Sequence, residues 1–95
     1  MNLDVDIEAV RAFCERWHVS ELSLFGSVLT DRFGPQSDVD VMVAFAPQAS
    51  VGLIAMGRMQ RELEQIFGRR VDLVTRSGLK RRIKESITSQ VIYAA

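Results

Sequence analysis

Apolar residues recur along this chain with two different periods, and the change of period marks its elements. Ile7, Val10, Phe13, Cys14 and Trp17 return at intervals of three and four, a spacing that gathers side chains on one side of a helix. A helix is therefore predicted from about Asp4 or Asp6 to Trp17, either aspartate being a good N-cap. The stretch "LSLFG" reads as a short strand closing at Gly26. "SVLTDRFGPQS" follows as a connector, with one helical turn after Ser27 and a turn at Gly34-Pro35. In "DVDVMVAF" the period drops to two. Val39, Val41, Val43 and Phe45 fall on one face of a strand, and Asp38, Asp40, Met42 and Ala44 on the other. A second helix, from about Val51 to Phe67, carries Leu53, Met56, Met59, Leu63, Ile66 and Phe67 as an apolar stripe, with Gly68 as its C-cap. "RVDLVT" is a third strand. A last helix starting at about Ser77 places Leu79, Ile83, Ile87 and Val91 on one face.

The order α-β-(α)-β-α-β-α describes an α/β (α+β) fold, with helices packed on a three-stranded mixed sheet. The link between the first two strands is too short for a crossover helix, so that pair is expected to be antiparallel. The link between the second and third holds the long helix, so that pair is expected to be parallel with a right-handed crossover. These directions bring the end of the first strand and the starts of the other two to one edge. Gly26, Ser27, Asp38, Asp40 and Asp72 are thereby expected to converge.

Composition narrows the functions. Ninety-five residues, 47% hydrophobic and 25% charged, suit one domain over residues 1–95. Twelve basic residues balance twelve acidic ones, so no net field draws the chain to nucleic acid or membrane, and any electrostatic function is local. Cys14 is the sole cysteine, which excludes an internal disulfide and fits a reducing cytoplasm. The opening "MNLDVDIEAV" lacks the basic start of a secretory signal. No apolar run approaches the roughly 20 residues that span a bilayer, so no membrane anchor is expected.

Aspartate is disfavoured inside strands and costly to bury without a partner, so Asp40 in an apolar run needs a reason. Carboxylates packed together repel unless a proton or cation lies between them. Oxygen-only ligands suit a hard ion such as Mg²⁺, which takes one or two carboxylates and completes its shell with substrate phosphates. Gly26 allows close backbone approach, and Ser27 with the following amides can meet phosphate oxygens. Metal and phosphate together point to an in-line displacement at phosphorus. In that reading Asp38 and Asp40 hold the ion, and Asp72 completes a second ion site or serves as base for the attacking hydroxyl. His18 is the only histidine, and zinc-type ligand spacings are absent. Taken singly, each feature has an ordinary explanation. Ser37 and Asp38 suit a turn, Gly26-Ser27 a tight bend, Asp72 an ion pair with Arg69 or Arg70, and Lys80–Lys84 a solvated helix face. The combination is what carries chemistry.

"LFGS", ten further residues, "DVDVMV" and then "RVDLVT" resemble the nucleotidyltransferase superfamily that includes the DNA polymerase β palm. The nearest fit is its short prokaryotic branch, the minimal nucleotidyltransferases (MNT), and the resemblance covers almost the whole chain. It implies a nucleotidyltransferase fold, ATP and Mg²⁺ as cofactors, and Asp38, Asp40 and Asp72 as the metal-binding catalytic triad. Gly26 and Ser27 are implied as the nucleotide-phosphate contact. The resemblance further implies an antitoxin that transfers AMP from ATP to a tyrosine hydroxyl of a partner HEPN-domain toxin. A chain this short is expected to hold no separate acceptor-binding domain, which agrees with an acceptor supplied by a partner protein. Two other readings stay open: a non-catalytic module that neutralises the toxin by contact, and nucleotidyl transfer to a small molecule or RNA end. Related sequences often carry a base soon after the glycine-serine pair. Here Val28, Leu29, Thr30 and Asp31 stand there and Arg32 is the first base, so Arg32 or the Lys80–Arg82 group is expected to face the triphosphate.

Overall fold

The computed structural model describes residues 3–76, 78 and 88–95. Asp6 caps helix α1 (Ile7–Trp17), its carboxylate accepting the Ala9 N–H at 3.1 Å. This satisfies one of the donors that a first helical turn leaves unpaired. His18 ends the helix in the left-handed region, φ 58°, and its backbone N–H donates to the Cys14 carbonyl. Strand β1 (Val19–Phe25) starts directly after this cap, earlier than "LSLFG" suggests, because Val19 already pairs with Phe45 of the neighbouring strand. A 3-10 turn (Gly26–Leu29) leads into the connector, followed by strand β2 (Val39–Phe45). Helix α2 (Leu53–Phe67) ends at Gly68, φ 69°, whose N–H donates to the Glu64 carbonyl at 2.8 Å. Strands β3 (Val71–Thr75) and β4 (Ser89–Ala94) complete the described elements.

The strands form one mixed sheet in the order β3-β2-β1-β4. β1 and β2 run antiparallel and β2 and β3 parallel, both as the connection lengths require. The sheet has four strands rather than the expected three. β4 pairs antiparallel with β1, and Val91 lies on it at 51% exposure instead of on a terminal helix. A spacing of four is also a multiple of two, so Val91 satisfies either periodicity. The run "SQVIYA" is β-branched and aromatic and fills the free edge of β1. Ser77 and residues 79–87 of the expected last helix, Leu79, Ile83 and Ile87 among them, lie outside the described residues.

Both helices cover one face of the sheet. Val10, Phe13 and Cys14 of α1 and Met59, Leu63 and Phe67 of α2 join Leu22, Leu24, Val39, Val41, Val43 and Val71 in a single buried cluster. On the opposite face a smaller cluster unites Phe25, Met42 and Val74. Leu53, expected in the stripe of α2, is 91% exposed instead, at the open end of a helix whose buried members are Met59, Leu63 and Phe67. Met56 and Ile66 pack half-buried against the core. No helix among the described residues is long and apolar enough to cross a membrane.

Candidate active site

Strand register decides which aspartates meet. In the parallel β2–β3 ladder Asp40 stands opposite Asp72, and in the antiparallel β1–β2 ladder it stands opposite Phe25. Asp40 and Asp72 therefore share the face opposite the helices, beside the end of β1, where Gly26 follows Phe25. Asp38 sits just before β2. The Val39 N–H donates to the Arg70 carbonyl at 2.9 Å, which anchors the start of β2 to the residue before β3. The Asp38 carboxylate faces the Arg70 guanidinium at 3.5 Å, with side-chain exposures of 51% and 81%. A pair so exposed contributes little and yields readily to a competing ligand.

Two neighbouring carboxylates act on Asp40. Partial burial raises the Asp40 carboxyl above the ordinary carboxylate range, and the negative charges of Asp72 and then Asp38 raise it further. Such crowding favours a proton or a bound cation. Gly26 closes the site from the β1 side. A Cβ built on it would overlap the Asp40 Oδ2 oxygen and stand 3.2 Å from the Asp40 Cγ. The backbone there also has φ +77°, a conformation that L side chains rarely adopt. Only glycine fits both demands.

The connector that follows is held by its own polar groups. The Thr30 N–H and Oγ1 both donate to the Ser27 carbonyl at 2.9 Å, and Thr30 Oγ1 accepts the Arg32 N–H at 3.1 Å. The Gly34 N–H donates to Ser37 Oγ at 3.0 Å, and the Ser37 N–H to the Gly34 carbonyl at 3.1 Å. Arg69 then ties this turn to the approach of β3. Its guanidinium donates to the Gly34 and Ser37 carbonyls at 2.6 and 3.2 Å and lies 4.2 Å from the centroid of the Phe33 ring. Sequence spacing offered Arg69 only as an ion-pair partner for Asp72. Its actual role depends on the fold bringing the turn beneath it, which no local pattern signals.

The donor set is carboxylate oxygen alone. Two carboxylates in paired register suit Mg²⁺, which binds through one or two carboxylates and leaves the rest of its shell to phosphates and water. Among the described residues no three acidic, histidine or cysteine side chains already ring a common point, and Asp38 is turned to Arg70. The arrangement fits an ion that arrives with its nucleotide better than a permanently caged one. Cys14 is fully buried. Burial, reinforced by Glu15, pushes its thiol up to about 12, so it offers no nucleophile.

Comparison with known proteins bears on the family and the fold. Residues 6–94 match the family model of the nucleotidyltransferase domain. Protein adenylyltransferase MntA of Thermococcus cleftensis is 37% identical over 79 residues, which cover 83% of this chain and 78% of that protein. A chain in the crystal structure of a toxin–antitoxin with AMP-PNP superposes with a TM-score of 0.70, over 96% of this chain and 75% of its own. At 17% identity that likeness speaks for the fold alone. A solved structure provisionally assigned as a minimal nucleotidyltransferase gives a TM-score of 0.63 at 30% identity, covering 86% of each chain.

Proposed function

The chain belongs to the nucleotidyltransferase domain family, and on that premise we propose that it transfers AMP from ATP to a tyrosine hydroxyl of a partner HEPN-domain toxin, acting as its antitoxin. The observation that carries the reading is Asp40 beside Asp72 in parallel register, with Gly26 packed against the Asp40 carboxylate. The similarity to a protein adenylyltransferase supports a protein acceptor.

Asp38, Asp40 and Asp72 would hold Mg²⁺ together with the nucleotide phosphates. When bound, the ion offsets charge on the phosphates and on the departing pyrophosphate. Gly26, lacking a Cβ, lets the Asp40 carboxylate pack against the backbone at the end of β1, and Gly26 with Ser27 would contact the nucleotide phosphates from that end. Asp72 would complete a second ion site or take the proton of the acceptor hydroxyl; its exposure, with no ion pair among the described residues, supports the second role. As that oxygen bonds to the α-phosphorus, the bond from this phosphorus to the bridging oxygen of the β-phosphate breaks and pyrophosphate leaves. Aligning acceptor and phosphorus supplies much of the acceleration in such transfers.

The test combines the purified chain, ATP, Mg²⁺ and the toxin encoded with it, and reads the toxin by intact-mass spectrometry. A gain of whole AMP masses is expected, and none with the Asp38→Ala, Asp40→Ala double variant. Unchanged modification by that variant would refute the assignment. A second reading, in which the protein neutralises the toxin by contact alone, draws on the fact that among the described residues no three potential ligand side chains surround a common point. On that reading the double variant still suppresses toxicity and no mass is gained.

A further inference from the structure

Of the three carboxylates, Asp38 alone stands outside the sheet. Asp40 and Asp72 are fixed by the β2–β3 register, whereas Asp38 precedes β2 and its side chain is half exposed. The direction of its carboxylate depends on the two peptide groups that flank it. On one side the Ser37 carbonyl accepts a hydrogen bond from the Arg69 guanidinium at 3.2 Å. On the other the Val39 N–H donates to the Arg70 carbonyl at 2.9 Å. Two consecutive residues before β3 thus grip Asp38 from both sides.

The second grip is backbone to backbone, but the first relies on one side chain. The same Arg69 nitrogen donates to the Gly34 carbonyl at 2.6 Å, and the guanidinium lies over the Phe33 ring at 4.2 Å. Ser37 and Gly34 close the turn on each other. Half-buried Arg69 therefore spans the turn from Phe33 to Ser37. A planar guanidinium suits this place because it stacks on a ring while donating from its edge.

We propose that Arg69 is a positioning residue for the ion site, holding the turn before β2 so that the Asp38 carboxylate closes on an ion seated at Asp40 and Asp72. This rests on the nucleotidyltransferase reading of those aspartates, and adds to it a residue that acts on the ion only through Asp38. Groups that orient a metal ligand from behind govern affinity nearly as strongly as the ligand itself.

The experiment is Mn²⁺ titration of the full chain, followed by electron paramagnetic resonance with a non-hydrolysable ATP analogue present. Arg69→Met keeps an apolar stem over Phe33 but removes the guanidinium, and is expected to weaken Mn²⁺ binding by about ten- to a hundredfold. Arg69→Lys is expected to recover part of the loss, since an ammonium still donates to carbonyls. In an Asp38→Ala background Arg69→Met is expected to cost nothing further, because its effect runs through that carboxylate. A general loosening of the fold would instead lower affinity in both backgrounds alike. Unchanged Mn²⁺ affinity in Arg69→Met, or an equal loss in both backgrounds, would overturn the proposal. Should Arg69→Met not fold, Phe33→Leu takes its place in the same cycle, with a smaller loss expected and the same refuting results. If the native chain takes up no Mn²⁺ with nucleotide, the positioning role and the transferase reading fail together. If Mn²⁺ affinity follows Arg69 through Asp38 but no AMP reaches a protein acceptor, the positioning role stands and the transfer reading fails.

Discussion

Replacing Gly26 by alanine probes the closest contact in the site. The added Cβ would overlap Asp40 Oδ2 and sit 3.2 Å from its Cγ and 3.6 Å from its Cβ. The last of these is ordinary contact, so relief requires the carboxylate to swing aside, by on the order of 1 Å, rather than the strand to move. Two costs follow. The backbone at φ +77° disfavours a Cβ by about 1–2 kcal/mol. Pushing Asp40 off its preferred rotamer adds about 0.5–1.5 kcal/mol. A double-mutant cycle separates them. Urea unfolding of the native chain, Gly26→Ala, Asp40→Ala and the double variant is expected to show Gly26→Ala costing about 2–3 kcal/mol alone and only the backbone part when Asp40 is alanine. That difference is a coupling of about 0.5–1.5 kcal/mol, measurable at unchanged m-values. Equal costs in both backgrounds would refute the contact on which the geometry of the site depends.

Two further outcomes follow from the electrostatics. The Asp40 carboxyl is raised by burial and by Asp72 and Asp38. Its contribution to stability is therefore full below the ordinary aspartate value, near ~3.9, and is lost as pH rises through the raised value. Asp40→Asn should consequently be more stable than the native chain at neutral pH, by up to ~1 kcal/mol, with the difference vanishing in acid. Urea midpoints across that range check this, and a less stable variant at pH near 7 would contradict it. The Cys14 thiol, pushed up to about 12 inside the core, should resist maleimide at mildly alkaline pH until denaturant is added. Rapid native-state labelling would show that α1 does not pack as described.

How much of this was legible from residues alone varies by element. Val39, Val41 and Val43 alternate so cleanly that burial of their face followed from spacing, as did the antiparallel and parallel directions from connection lengths. The meeting of Asp40 with Asp72 followed in turn, because register on adjacent parallel strands needs only direction and a common start. β4 was not legible. A hydrophobic spacing of four cannot separate a helix from alternate pairs on a strand, and only the free edge of β1 decides between them. Leu53 had the right period for the stripe of α2 but stands at the end of the helix, 91% exposed, beyond its buried members Met59, Leu63 and Phe67. Arg69 reads as an ordinary surface base. Its clamp on Gly34 and Ser37 exists only once the connector folds back over the start of β3.

The central claim is that a divalent ion carried by nucleotide seats between β2 and β3. Adding trace Mn²⁺ with a non-hydrolysable ATP analogue to isotope-labelled protein, and following its paramagnetic broadening of amide NMR signals, tests this directly. The signals of Gly26, Asp40 and Asp72 are expected to broaden first in the native chain and to stay sharp in an Asp40→Asn, Asp72→Asn variant. Broadening centred elsewhere, or persisting unchanged in that variant, would contradict the account.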